Sequence, residues 1–192
     1  LFDGDSALDI DIDALYILQG ITQLDWSAIE PAILGTLFTR SLDPSKRAQL
    51  GAHYTSKDDI LLIVEPVLMA PLRKGWEAAK AQDEPAVRAF HEQLAWTTVL
   101  DPACGSGNFL YVSMRALLDL EKTVLAECDQ QGWARPAEPR VSPQNVYGIE
   151  INPYAHELAQ ATVWIGYLQW RNENGYGFPP EPILRKLDNL RD

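Results

Sequence analysis

Cysteine is scarce: the 192 residues carry only Cys104 and Cys128. That excludes a disulfide framework and a cysteine-based zinc site, and it fits a reducing cytoplasm. Long apolar runs are missing as well. Stretches such as "ILLIVEPVLMAPL" are too short and too interrupted to span a bilayer, so no membrane partner is expected. The N-terminus, "LFDGDSALDIDID", is acidic and lacks the basic region that opens a signal peptide. It begins on Leu1 rather than Met, as a piece of a longer protein would. Positive charge is in the minority too, with 16 Lys and Arg against 27 Asp and Glu, a net charge of −11. Surfaces that grip DNA phosphates are normally basic, so this segment is not expected to supply a main nucleic-acid grip. His53, His91 and His156 stand at no metal-binding spacing. There is no internal repeat and no low-complexity tract.

What is present reads as one domain, or slightly more than one, with 46% hydrophobic residues to build a core. Residues 8–40 look helical. Ser27 and Glu30 form a capping-box pair, after which Ile29, Ala32, Ile33 and Leu37 recur on one helical face. A polar connector over 43–56 ends in Ser56, an N-cap for a helix from about 57, which Pro66 and Pro71 should kink or divide. A charged helix over 84–95 leads to a buried strand at 97–101. The order then becomes glycine turn, helix 107–128, Pro-rich connector, strand 145–150, helix 153–170, and a third strand within 183–192. Such alternation predicts a parallel sheet with helical crossovers.

The turn "DPACGSGNFL" (101–110) carries the chemistry. A phosphate-gripping P-loop needs a Lys after its glycines, and none is present. A dinucleotide fingerprint needs a third glycine where Leu110 stands. S-adenosylmethionine fits better. It has no phosphate, and its ammonium and sulfonium call for carboxylate and backbone oxygens. Asp101 offers a negative charge that a pyrophosphate would repel. Gly105 and Gly107 let the backbone approach the ligand closely. Glu150, ending the second strand, can accept from both ribose hydroxyls, with Ile149 and Ile151 placed to pack on adenine.

"DPACGSGNFL", with "GIEINPYAHELAQATVWIGYLQW" after it and "LGAHYTS" before it, resembles the amino-methylating DNA adenine methyltransferases. Within them it is most similar to large fused restriction–modification enzymes and their phage-defence relatives. The resemblance covers about residues 27–192. It implies an incomplete Rossmann-like α/β fold of S-adenosylmethionine-dependent methyltransferases, with a helical segment over 1–50 and the cofactor-binding half of the domain over 51–192. It further implies that Tyr54 and Thr55 close on the methionine end of the cofactor. Asp101, Ala103, Gly105 and Gly107 would form the loop, with Asn108 and Phe109 beside it. Glu150 and Ile151 would meet ribose and adenine. Asp192, or else Asp188, would contact the adenine amino group.

The same resemblance places catalysis in an Asn/Asp/Ser-Pro-Pro-Tyr/Phe motif after a fourth strand, where a flipped adenine stacks on the aromatic ring. Asn152-Pro153-Tyr154 is a decoy. It follows the second strand, has one proline, and reads as an ordinary N-cap with Pro at the first helical position. No catalytic residue and no metal site is expected in this chain. Double-stranded DNA would be met through regions outside it, and the strands should leave an apolar edge prone to self-association. Cys104 is read as a small packing residue rather than a nucleophile, and Trp164 and Trp170 as core. The rival readings are a protein or small-molecule methyltransferase, a non-catalytic module of a defence complex, and a nicotinamide dehydrogenase.

Overall fold

A computed structural model describes residues 9–24, 29–33, 35, 55–177 and 190–191. Asp11 caps α1 (Ile12–Thr22) by accepting from the Ala14 N–H at 2.8 Å, and none of the helix's side chains is buried. Ser56 caps α2 (Lys57–Val64) through the Asp59 N–H. The two prolines do not end this helical stretch. It passes through a π-turn (Glu65–Met69) into α3 (Ala70–Lys80). Pro66 has no N–H to donate, and the wider turn lets the Ala70 N–H reach the Glu65 carbonyl instead. Asp83 caps α4 (Glu84–Ala95).

Strands β1 (Val99–Asp101), β2 (Val146–Ile149) and β3 (Leu190–Arg191) lie parallel in the order β1-β2-β3. Val99 pairs with Val146 and Asp101 with Gly148, while Gly148 pairs with Leu190. Helix α5 (Asn108–Gln131) connects the first two strands and α6 (Pro153–Glu173) the last two. Helix α5 is the centre of the core: Leu110, Tyr111, Met114, Leu117, Leu118 and Val124 are almost wholly buried against α2, α4, α6 and the sheet. Helices α5 and α6 approach closely because Gly166 lies on the Tyr111 ring, where a Cβ would stand 2.3 Å from the ring carbons. Trp170 is also core. Its indole N–H donates to Asp119 at 2.7 Å and its ring stacks on Tyr176. Trp164 packs edge-on against Tyr167.

A buried carboxylate fastens the Pro-rich connector. Glu121 on α5 is fully buried and accepts from the Arg140 and Val141 backbone N–H groups at 2.7 and 2.9 Å. It also bonds His91 Nε2 on α4 at 2.7 Å. His91 therefore has a structural partner, and no metal-binding cluster occurs among the described residues. None of the described helices is long and apolar enough to cross a membrane.

Three expectations need correction. Residues 29–32 form a bend and a turn rather than the first turn of a helix starting at Ser27, in keeping with Pro31, which has no N–H to donate. Ala32 is buried while Ile29 and Ile33 are exposed, so the face inferred from spacing is not a core face. Ser27 and Leu37 lie outside the described residues. The first strand starts at Val99 because Thr97 finishes α4: its N–H donates to Leu94 and its hydroxyl to the Gln93 carbonyl. Nor is that strand buried on both faces. Leu100 is 61% exposed, and its neighbours Tyr147 and Ile149 on the same face are exposed with it. The helices joining the strands pack on the opposite face, where Val146 and Gly148 are buried.

Candidate functional site

Parallel strands place their carboxyl ends together, so Asp101 and Glu150 come to one rim of the sheet. Between β1 and α5 the chain makes a tight turn. Asp101 Oδ1 accepts from the Ala103 N–H at 3.0 Å. The Cys104 N–H donates to the Ile149 carbonyl at 3.0 Å, extending the sheet's bonding past the end of β1. The Gly107 N–H closes the turn on the Cys104 carbonyl at 2.8 Å. Gly105 and Gly107 have φ of +53° and +85°, the left-handed region that L side chains disfavour.

Glu150 does more than stand at a strand end. One oxygen accepts from the Gly105 N–H at 2.9 Å and the other from the Asn152 N–H at 2.8 Å. Each oxygen keeps a further lone pair for a ligand donor. Asp101 sits close enough to feel it. Burial raises the Asp101 carboxyl above its ordinary value, the Ala103 N–H opposes that rise, and the Glu150 charge adds to it. Burial, with both carboxylates nearby, pushes the Cys104 thiol up to about 12. The thiol therefore stays protonated, and with its side chain buried it has the packing role expected.

Asn108 opens α5 and is buried. Its Nδ2 reaches the Thr55 carbonyl at 3.5 Å, while its Oδ1 has no hydrogen-bond partner. Thr55, Asp101, Ala103, Gly105, Gly107, Asn108 and Glu150 are thus brought to one end of the sheet. Ile151 beside them is 86% exposed. Phe109 is partly buried and packs against the core. Tyr54, Asp188 and Asp192 lie outside the described residues. The decoy is a helix start, as expected: Asn152 Oδ1 accepts from the Tyr154 and Ala155 N–H groups at 3.0 and 3.3 Å, with Pro153 next.

Two contributors escape sequence reasoning. Ala159 on α6 lies against Gly107, where a Cβ would stand 2.9 Å from its Cα. Gly35 lies against Ser106. Both pairings are distant in sequence and carry no motif. A cleft of about 310 Å³ between α2–α3 and α5 lies elsewhere, and its Arg73 and Arg115 are already paired with Glu65 and Glu173.

Residues 76–176, just over half the chain, match the family profile described as the MmeI DNA-methyltransferase domain. DNA methyltransferase A of Bacillus subtilis is 29% identical over 150 residues, which are 78% of this chain and 17% of that protein. A putative type II restriction enzyme and methyltransferase of Methanocaldococcus jannaschii is 24% identical over 167 residues, 73% of this chain and 14% of its own length. The Type IIL restriction–modification enzyme MmeI, solved in complex with DNA, superposes with a TM-score of 0.81 at 34% identity. That match covers 94% of this chain and 25% of MmeI. The chain thus spans a quarter or less of the relatives it matches. Profile, sequence and fold agree: the chain belongs to the MmeI-type DNA-methyltransferase family of restriction–modification enzymes.

Proposed function

We propose that the Asp101–Gly107 turn binds S-adenosylmethionine, and that the chain is the cofactor-binding part of a Rossmann-like DNA adenine-N6 methyltransferase. The observation that carries this reading is the charge at the rim. Two carboxylates, Asp101 and Glu150, stand there, the Glu150 charge adding to burial in raising the Asp101 carboxyl above its ordinary value, and no lysine accompanies them in the turn. A pyrophosphate would add like charge to that rim, whereas an ammonium or sulfonium offsets it. Gly105, where a Cβ would meet nothing within 4 Å, leaves room for a ligand beside the turn.

In this reading Glu150 accepts from ribose while still holding Gly105, and Asp101 and Ala103 line the turn. Ile151 supplies exposed apolar surface for adenine. Thr55 and Asn108 meet the methionine end of the cofactor, a role the reading extends to Tyr54, and Phe109 braces the turn from the core. Asp192, with Asp188 as the alternative, meets the target amino group. The cofactor supplies the methyl group. Residues outside this chain orient the flipped adenine and grip the duplex, in keeping with the net charge of −11 here.

Calorimetric titration of the full-length protein tests the reading. S-adenosylmethionine or its demethylated product binds, and NAD and ATP do not. Tight NAD binding with no response to S-adenosylmethionine overturns it.

A further inference from the structure

Three consecutive residues of the turn are each fixed by a different part of the molecule. The Gly105 N–H is held by Glu150 at the end of β2. Gly107 lies on the α6 backbone, where a Cβ would stand 2.9 Å from Ala159 Cα and 3.1 Å from its carbonyl oxygen. Between them, Ser106 meets the N-terminal segment. At buried Gly35 a Cβ would stand 2.0 Å from Ser106 Oγ and 2.8 Å from Ser106 Cβ.

The segment carrying Gly35 is anchored behind the turn. Gln169 on α6 donates to the Ile29 carbonyl at 2.7 Å. Glu30 lies beside the Tyr111 hydroxyl on α5, which burial and then the Glu30 charge push up to about 12. Ala32 is buried. The segment is held by α5 and α6, and the turn is held on both sides of Ser106.

We propose that Gly35 is a positioning residue for the cofactor turn. By lacking a side chain it lets the N-terminal segment close on Ser106, so that this segment helps set the shape of residues 105–107. The inference rests on the reading of the turn as the S-adenosylmethionine site. A methyl group at residue 35 has nowhere to go. Ser106 can rotate its Oγ aside, but its Cβ is fixed to the turn backbone. The displacement therefore passes into the turn and toward Asn108, whose Oδ1 is 3.9 Å from the same point. The remedy is specific: removing the Ser106 side chain restores the space.

The test is a double-mutant cycle in the full-length protein, comprising wild type, Gly35→Ala, Ser106→Gly and the pair. Binding of S-adenosylhomocysteine is read by calorimetry, and KM and kcat by labelled-methyl transfer. Gly35→Ala weakens binding about tenfold and raises the cofactor KM while kcat is kept. The pair binds within about twofold of Ser106→Gly alone. Wild-type affinity in Gly35→Ala overturns the inference, as does a Gly35→Ala defect, in binding or in folding, that Ser106→Gly leaves unrepaired. A folded wild type that binds no S-adenosylhomocysteine sinks the reading of the turn, and this inference with it.

Discussion

The two ends of the glycine turn look alike in sequence and have opposite surroundings. Gly107 is closed in. It is buried, its φ is +85°, and the Ala159 backbone occupies the place of a side chain. Gly105 is open. Its φ is +53°, and a Cβ would meet nothing within 4 Å. One glycine serves packing between the turn and α6, while the other leaves open surface, the side that the proposed cofactor would use. A motif records both as the same letter, and only the surroundings separate scaffold from site.

Substitutions at the turn break or sharpen this contrast. Gly107→Ala combines backbone clash with left-handed strain and should cost about 3 kcal/mol or more. Urea unfolding measures it, and a loss no greater than that of Gly105→Ala would erase the distinction. Glu150→Ala strands two backbone donors, the Gly105 N–H in the turn and the Asn152 N–H at the start of α6. Because the carboxylate is only part-buried, the expected loss of stability is about 1–2 kcal/mol. Cofactor affinity falls as well, and an unchanged dissociation constant in the folded variant would show that ribose is held elsewhere. Gly105→Ala should cost stability least, about 1 kcal/mol from its positive φ. Its effect on cofactor binding should exceed that figure, since the new methyl enters the open side. Binding weakened no more than stability would show that the ligand does not use that side.

Local chemistry was the legible part. Ser56 and Asn152 each cap a helix through a side chain that reaches two or three residues ahead, a distance at which sequence spacing is sufficient. The turn glycines and the place of Glu150 at the end of β2 were legible as well, although the bonds from Glu150 to Gly105 and Asn152 were not. Apart from the turn at Pro31, the failures come from how distant parts of the chain meet. Thr97 is β-branched and looks like strand. Its carbonyl is nevertheless taken by Asn145 Nδ2 at 2.8 Å, which fixes it in the exit from α4. Leu100 reads as buried because apolar runs in parallel sheets usually have cover on both faces, and here the connecting helices lie on one. Gly35 carries no signal of its own: its partner Ser106 is set by how the segment folds back over α5 and α6.

The Glu121 cluster puts the Pro-rich connector on an unusual clock. Arg140 and Val141 belong to no helix or strand, and their amide protons would ordinarily trade with solvent as readily as those of any loop. Both instead donate to a fully buried carboxylate on the central helix, which is also bonded to His91. Releasing either amide leaves a buried charge short of a donor, so exchange must wait for a larger opening that admits water to α5. In deuterium, a connector without regular structure should keep its protons about as long as the core does.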